Sequence, residues 1–498
     1  MLAINAKPRP GAVQSAILFL NFTVFVNIQL DHCVLAAANR FRELNSRTPP
    51  AYLTTISRFV CEARLGDLSA AARERARWVI ADSIPVIAAG MQQPEMKSFV
   101  ARQLAGAPAG GAWVIGAERR TGMMDAALLN GTAGTWLELD EGNLFAKGHP
   151  GIQVVPAAVA VAQELGASGA ELLAAVALGY EISARVSRAA NTRLSIHPHG
   201  TYGVIGTAIA AGRLKKFNAQ QMLELINCAA TMGMATSRQT LLDGATVRNI
   251  FTGHSGYMGL TATRLVECGF TGEVDGVGNV YGKVLSDTFD RDQVVAGLGE
   301  EWLITHSYFK LHPTGRYVHS AIDALEDLLA KVPGGRLDID RITRIEVRTY
   351  MLAAMLSEKN VVSSFGARFS IPFALASILV HGRSGLASFD AAAVANSRVQ
   401  ALAQRVDLQE DKSHTARYPH ETPCELVVEF KGGARHQGQC TVMKGEPSNP
   451  HRPQDLRGKF FDLGVPVWGN ETTKKLFDGL MDLENLGDFR AFAQQFNL

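Results

Sequence analysis

Apolar positions repeat with the period of an α-helix over most of the chain. In residues 53–90, Ile56, Phe59 and Val60 form one apolar stripe. Ser69 then supplies an N-cap for a second helix, which continues to the end of this segment. The pattern therefore predicts two helices at the start of the fold.

The helical period continues through residues 126–269, where alanine and glycine are abundant. One helix is predicted over residues 153–165 and ends at Gly166, and the next begins at the cap residue Ser168. Three more are predicted over residues 204–217, 219–234 and 253–269. Since small residues let helix axes approach closely, we interpret most of these glycines as packing positions and the segment as one all-α unit.

The pattern changes after about residue 290. Residues 342–347 and 425–430 alternate apolar and polar side chains, which predicts two β-strands, and a helix is predicted between them over residues 369–379. Residues 455–498 are helical again. The predicted fold class is mainly α, a large all-helical domain with a smaller inserted α+β domain. The predicted boundaries are 51–303 and 443–498 for the helical domain and 304–442 for the inserted one.

The first 50 residues follow a different pattern. An apolar stretch over residues 16–30 follows Lys7 and Arg9, as in a secretory signal peptide. Asn21 and Asn27 interrupt this stretch, which is also too short for a membrane span. We favour an N-terminal extension without a role in the fold, because the rest of the sequence has the features of an intracellular enzyme.

Composition narrows the class of protein. Apolar residues make up 47% and charged residues 19% of the 498 positions, which is typical of a globular protein. The net charge is +2 and no basic run is interleaved with aromatic residues, so nucleic-acid binding is not indicated. Six cysteines without a CxxC pair indicate reduced thiols and a cytoplasmic location, with no membrane association. No dinucleotide, phosphate-loop or metalloprotease motif occurs, which favours an enzyme without a cofactor.

Four clusters of polar residues interrupt the apolar helices. Each contains histidine together with carboxylates or cations: Glu138, Asp140, Glu141, Lys147 and His149; His197, His199, Thr201 and Tyr202; Arg248 and His254; Lys310, His312, Arg316, Tyr317 and His319. A single histidine is usually a structural residue. Repeated histidines in glycine-bounded loops between apolar helices indicate a functional site.

These residue types suit proton transfer next to a carboxylate. Histidine is a base whose pKa lies near neutrality. Removing a proton beside a carboxylate creates a carbanion with the charge of a dianion, which fixed cations such as Arg248, Lys310 and Arg316 would stabilise. Arginine also holds a carboxylate through two parallel hydrogen bonds. The clusters therefore predict an enzyme that acts on a small polycarboxylic acid.

The same histidines could instead bind a metal ion. His197 and His199 are separated by one residue, and His149 with Asp140 could complete a set of ligands. No group of three cysteines accompanies them, so an iron–sulfur cluster is not indicated. We favour a site without a metal, in which side chains alone carry the reaction.

Taken in order, the clusters resemble the MmgE/PrpD family over residues 53–461. This family includes 2-methylcitrate dehydratases, cis-aconitate decarboxylases and an iminodisuccinate epimerase. The motifs that carry the resemblance are Asn130-Gly131, residues 139–141 leading to His149-Pro150, residues 168–173, Gly179-Tyr180-Glu181, His197 with Thr201 and Gly203, Lys310 with Pro313 and His319, residues 368–372, residues 444–447, Asn449-Pro450 and Lys459-Phe460.

The resemblance implies a fold, an assembly and a set of catalytic residues. It implies a large helical domain capped by a smaller α+β lid, with the site between them, in a homodimer. It also implies catalysis by side chains alone. His149 and His197 match active-site histidines of the family. Lys310 matches a lysine and His319 a histidine, whereas Arg248 falls where the family generally has a lysine.

Several positions depart from the family pattern. The usual Asp-Asp-x-His is here residues 140–143, Asp-Glu-Gly-Asn, so one carboxylate is longer and the histidine is missing. Gly315 stands where a cysteine or histidine is common. His199 replaces a frequent threonine, and His254 a small residue. We expect these changes to adapt the pocket to a different substrate.

Dehydration is the leading hypothesis for the reaction, by a hydro-lyase in which a histidine removes the alpha proton and an acid protonates the leaving hydroxyl. Epimerisation by His149 and His197 on opposite faces of one carbon, and decarboxylation, are the enzymatic alternatives. A carboxylate-binding protein on a retired enzyme scaffold is the non-enzymatic one. The predicted catalytic residues are His149, His197, Lys310, Tyr317 and His319. The predicted substrate-binding residues are Asp140, Glu141, His199, Arg248, His254 and Arg316.

Overall fold

The structure is a computed structural model that describes residues 48–498 of the chain. The predicted N-terminal extension, with its alternative interpretation as a signal peptide, lies almost wholly outside the described residues. Within the described part of the chain, no helix is both long and apolar enough to cross a membrane.

Helices contain most of the described residues, which confirms the predicted mainly α fold class. Ser69 accepts a hydrogen bond from the amide of Ala72 and Ser168 from that of Glu171, so both predicted N-caps are confirmed. The helices of six or more residues are α1 (Ala51–Glu62), α2 (Ala70–Met91), α3 (Pro94–Gln103), α4 (Met123–Gly134), α5 (Pro150–Leu165), α6 (Gly169–Ala189), α7 (Gly203–Leu214), α8 (Ala219–Ala230), α9 (Ile250–Glu267), α10 (His319–Ala330), α11 (Ile371–His381), α12 (Ser397–Ala403), α13 (Pro453–Trp468), α14 (Asn470–Met481) and α15 (Phe489–Gln494).

The strands are short, and only one sheet has more than two of them among the described residues. The strands are β1 (Ala112–Val114), β2 (Arg119–Thr121), β3 (Gly142–Asn143), β4 (Ala190–Thr192), β5 (Ser286–Phe289), β6 (Ser307–Tyr308), β7 (Ile342–Thr349), β8 (Val406–Glu410), β9 (Cys424–Phe430) and β10 (Arg435–Cys440). The larger sheet has the order β10-β9-β7-β8, in which β7 and β8 run parallel and the other pairs antiparallel. The two strands predicted from alternation correspond to β7 and β9.

The larger hydrophobic core lies among the helices, and the C-terminal helices α13 to α15 return to it. Glycine lets these helices approach one another. A Cβ atom on Gly131 of α4 would lie 2.7 Å from the Cα of Gly253 in α9, and one on Gly179 of α6 would lie 2.4 Å from the carbonyl oxygen of Gly206 in α7. Larger residues would force these pairs of helices apart, so the interpretation of these glycines as packing positions holds here.

A second hydrophobic core lies between the four-stranded sheet and the helices α10 and α11. Val347 of β7 and Val428 of β9 contribute to it, together with Leu325 of α10 and Phe373 of α11. This core falls within the α+β domain predicted for residues 304–442. Residues from Ala51 to Leu498 group as one compact unit, so the domain boundaries stay a prediction.

Three loops meet where the two cores adjoin, and they carry most of the predicted site residues. Residues 135–149 connect α4 to α5, residues 193–202 lead into α7, and residues 309–318 lead into α10. Pairing of β3 with β6, with Gly142 opposite Tyr308, joins the first loop to the third. Helix α5 begins three residues earlier than predicted, because Pro150 occupies its first turn, where proline is favoured.

Candidate active site

A cleft opens at the junction of these loops, and six of the predicted site residues line it. These are His149, His197, His199, Arg248, Arg316 and Tyr317. The other five predicted residues, Asp140, Glu141, His254, Lys310 and His319, do not line the cleft. Since the lining residues come from positions more than a hundred residues apart, the fold brings together what the sequence showed only as separate clusters.

His149 is held by a buried carboxylate. Its Nδ1 lies 2.7 Å from Oδ2 of Asp140, and Asp140 is fully enclosed. Burial by itself raises the pKa of Asp140, but the charges of His149 and Lys310 outweigh it and hold that pKa well below its usual range. Asp140 therefore stays an anion that orients the ring of His149. Nε2 of His149 remains the ring nitrogen available for chemistry.

Two buried cations form ion pairs with two buried carboxylates at the floor of the cleft. Nη1 of Arg248 lies 2.5 Å from Oε1 of Glu138. Nζ of Lys310 lies 3.4 Å from Oε2 of Glu138 and 3.2 Å from Oδ1 of Asp140. The four charges balance, so the floor of the site is close to neutral. Lys310 is fully buried and contacts both carboxylates of this network, and its catalytic role stays a prediction.

His197 is a neutral imidazole in this arrangement. Its Nε2 lies 3.3 Å from Nε of Arg248, and its Nδ1 accepts a hydrogen bond of 3.1 Å from the amide of His199. A neutral imidazole has one nitrogen that accepts a hydrogen bond and one that carries hydrogen, so it can accept one of these two contacts, whereas an imidazolium could accept neither. Burial, and then the charges of Arg248 and Arg238, lower the pKa of His197 well below its ordinary value. His197 is therefore held as a neutral imidazole.

His199 lies between the other two histidines. Its ring centroid is 4.8 Å from that of His149 and 4.6 Å from that of His197, both edge to face. Burial lowers the pKa of His199 well below its ordinary value, and the charge of Arg248 adds to this. Its Nδ1 has no hydrogen-bond partner among the described residues. A polar group on a bound ligand could supply that partner.

Glu141 does not line the cleft, and its role in substrate binding stays a prediction. Its Oε1 accepts a hydrogen bond of 2.5 Å from the amide of Gly151 in the first turn of α5, and Tyr180 donates to Oε2 at 3.3 Å. Complete burial, and then the charge of Asp140, raise the pKa of Glu141 to about 8. Glu141 therefore supports the helix that follows His149.

The raised pKa of Glu141 predicts a dependence of stability on pH. Unfolding returns this carboxyl to an ordinary pKa near 4.5, so the folded protein binds the extra proton between about pH 4.5 and 8. Its contribution to the free energy of unfolding should decline as pH rises through this window, by at most about 1.4 kcal/mol per pH unit. Glu141→Gln should remove this component, as measured by chemical denaturation at pH 5 and pH 8. The exposed Glu300→Gln is the control, and equal slopes in all three proteins would contradict the assignment.

On the other side of the cleft, Arg316 is fixed by Glu446. Its Nε and Nη2 lie 3.1 and 2.7 Å from Oε1 of that carboxylate, and its guanidinium carbon lies 4.3 Å from the ring centroid of Tyr308. His319 lies behind it, with Nδ1 at 3.1 Å from Nη1 of Arg316. His319 thus contacts Arg316 and does not line the cleft, and its catalytic role stays a prediction. Tyr317 does line the cleft.

His254 lies away from the cleft, in the half-buried part of α9 that contacts the end of α8. Its Nε2 lies 3.2 Å from the carbonyl oxygen of Met232. Burial lowers the pKa of His254 below its ordinary value. His254 therefore links two segments away from the cleft, and its role in substrate binding stays a prediction.

Several cleft residues were not assigned from the sequence. Glu138, Lys147 and Tyr308 line the cleft and lie in or beside polar clusters that the sequence shows. The rule that buried cations need a counter-charge could have identified Glu138. Arg238 and Tyr418 also line the cleft, but they lie in segments without a polar cluster, and no sequence signal marks them.

Two groups of side chains within residues 48–498 could hold a metal ion. Asp140, His149 and His199 each offer one ligand atom, and these atoms lie within 4.8 Å of one another. His312, Asp323 and Glu326 form a second such group beside α10. In the first group, Nδ1 of His149 is already bonded to Asp140.

Known proteins are similar to this chain over most of its length. The MmgE/PrpD N-terminal domain matches residues 54–287, and the MmgE/PrpD C-terminal domain matches residues 312–483. The cis-aconitate decarboxylase-like protein oryM of Aspergillus oryzae is 24% identical over 89% of this chain and 96% of its own length.

Two further relatives have the same activity in their names. The cis-aconitate decarboxylase of Aspergillus terreus is 23% identical over 86% of this chain and 93% of its own length. The cis-aconitate decarboxylase of Homo sapiens is 24% identical over 73% of this chain and 77% of its own length. A decarboxylase breaks the carbon–carbon bond to a carboxylate and is therefore a lyase. These matches thus support an activity of the lyase type.

Proposed function

Since the chain belongs to the MmgE/PrpD family, we propose that it is a lyase that acts on a small polycarboxylic acid. One observation carries this proposal. A carboxylate-bound His149 and a neutral His197 line the same cleft, on either side of His199. Two imidazoles, one anchored by a carboxylate and one neutral, thus face the same cleft and can transfer protons to and from one bound substrate.

We propose decarboxylation as the reaction, because the curated relatives are named for it. The bond between the carbon skeleton and one carboxylate breaks, carbon dioxide leaves, and the electron pair stays on the skeleton. A proton from Nε2 of His149 then forms the new carbon–hydrogen bond. Asp140 holds the ring of His149 through Nδ1 before this step, and Arg248 stabilises the negative charge while it is delocalised toward a neighbouring carboxylate.

Dehydration, the hypothesis that the sequence favoured, is the second candidate. The same pair of histidines supports it: His197 would remove the alpha proton, and His149 would protonate the leaving hydroxyl. The same positions of the two histidines serve both reactions. Which of the two reactions occurs is therefore decided by the class of substrate and not by this pair of side chains.

Reaction of the purified protein in deuterated water, followed by proton NMR, separates the candidates. With cis-aconitate, decarboxylation should release carbon dioxide and place one deuterium in the product per turnover. With citrate or 2-methylcitrate, dehydration should instead create a double bond. Exchange of the alpha proton without a new product would indicate epimerisation. No change in any of these acids, while they still bind, would support the retired scaffold and refute the lyase.

We propose that side chains carry the reaction without a metal ion. Dialysis against EDTA should therefore change kcat by less than about twofold, since the proton transfers described need only His149 and His197. Metal content by mass spectrometry is the companion measurement. A loss of activity that zinc, manganese or magnesium restores would contradict this proposal.

The homodimer and the cytoplasmic location also remain proposals. Light scattering at low micromolar protein would test the dimer.

A further inference from the structure

The cations that line the cleft fall into two kinds. Among the described residues, Lys147, Arg238, Arg248 and Arg316 line it. Arg248 is paired with Glu138 and Arg316 with Glu446. Lys147 and Arg238 have no carboxylate within salt-bridge distance in the described part of the chain. The excess positive charge of the cleft therefore lies with Lys147 and Arg238.

Lys147 is exposed at the edge of the cleft, and no described carboxylate balances its charge. Its Nζ donates a hydrogen bond of 2.5 Å to the carbonyl oxygen of Ala190, which satisfies one of its three hydrogens. Partial burial of the amino group lowers the pKa of Lys147 from its ordinary value. Two hydrogens of the ammonium are left to donate to an anion bound in the cleft.

Arg238 is held by the same stretch of backbone. Its Nε donates to the carbonyl oxygen of Leu194 at 2.6 Å, and its Nη2 lies 3.4 Å from that of Ile196. Nη1 has no partner in the described chain. Residues 190–196 thus anchor both cations and lead directly to His197. The charge of Arg238 also contributes to lowering the pKa of His197, which places it close to the reacting groups.

We propose that Lys147 and Arg238 bind a second carboxylate of the substrate, one that does not react. This rests on the proposed function, because it extends the same cleft. Arg248 and Lys310 are neutralised by Glu138 and Asp140, so the specificity for an acid with several carboxylates comes from this pair at the wall of the cleft. A substrate with one carboxylate would leave both cations unpaired and bind poorly.

Binding of tricarballylate, a saturated tricarboxylate that cannot lose carbon dioxide by this route, tests the subsite. Isothermal titration should show affinity about 10- to 100-fold lower for Arg238→Met and for Lys147→Met, since a charge-assisted hydrogen bond contributes about 1.5–3 kcal/mol. Acetate, with one carboxylate, should bind no worse to the variants than to the parent protein. Arg193→Met is the matched control, because Arg193 lies in the same segment but bonds to Val284 and Asp287 outside the cleft.

Arg238→Lys separates charge from the anchoring of residues 194–196. Lysine keeps the positive charge but lacks the planar guanidinium donors that bond to the backbone. Tricarballylate should therefore bind to this variant within about fivefold of the parent affinity. Equal loss in Arg238→Lys and Arg238→Met would assign Arg238 a structural role and overturn the proposal, as would affinities within twofold of the parent in both Met variants. Failure of the lyase proposal would look different: the parent would turn over no acid, while the variants would still lose tricarballylate binding.

Discussion

Replacement of His149 by glutamine should lower kcat by about 100- to 10,000-fold, the range expected for loss of a general acid or base. Glutamine is close in size to histidine and can still accept or donate a hydrogen bond, but it cannot deliver a proton. KM should change much less, because His149 acts mainly after the substrate is bound. Steady-state kinetics with cis-aconitate, or with the acid identified by NMR, measures both constants.

The contact between His149 and Asp140 leads to a second prediction, for a substitution of Asp140. Asp140→Asn should lower kcat by a comparable factor, and the double variant should be little worse than either single one, since the two residues act as a unit. His436→Gln, on the exposed face of β10, is the control and should retain parent activity. Effects of His149→Gln below about fivefold, or effects of the two substitutions that multiply, would contradict the assignment.

Arg248→Ala should lower kcat/KM by about 30- to 900-fold, which corresponds to about 2–4 kcal/mol of transition-state stabilisation. Two effects combine. The cation next to His197 is lost, and Glu138 becomes a buried anion that only Lys310 still balances, at 3.4 Å. An anionic substrate is then repelled from the floor of the cleft.

The double variant Arg248→Ala/Glu138→Gln separates these effects. Removing the charge of Glu138 should recover part of the lost stability and of the lost substrate affinity, because the unpaired buried anion is gone. The value of kcat should stay low, since the stabilising cation is still missing. A change in kcat/KM of less than twofold in Arg248→Ala would instead make Arg248 a structural residue.

Local signals in the sequence were sufficient for most of the helical framework. Ser69 and Ser168 are capping residues whose partners lie three positions away, so their structures depend on neighbours in the chain. The alternation in β7 and β9 likewise reflects one buried face. These features depend on the spacing of apolar and capping residues along the chain, which can be read directly from the sequence.

The charge network of the site could not be predicted in the same way. Lys310 and its partner Glu138 are 172 positions apart, and Arg248 and His197 are 51 apart. The sequence shows that such charges exist, but only the fold decides which carboxylate neutralises which cation. Lys310 was therefore expected to meet the substrate, whereas the structure encloses it. The sequence does not mark Arg238 as a site residue, because its neighbours along the chain form no cluster of histidines and charged residues.

The central claim is that one cleft holds the polycarboxylic acid between the histidines and the unpaired cations. A crystal structure of His149→Gln with bound cis-aconitate tests it most directly. The account predicts the carbon skeleton against His197 and His199, with one carboxylate in hydrogen-bond contact with Arg238 or Lys147. Ligand bound elsewhere, for example in the cavity beside Trp468, with only water between the histidines, would contradict it.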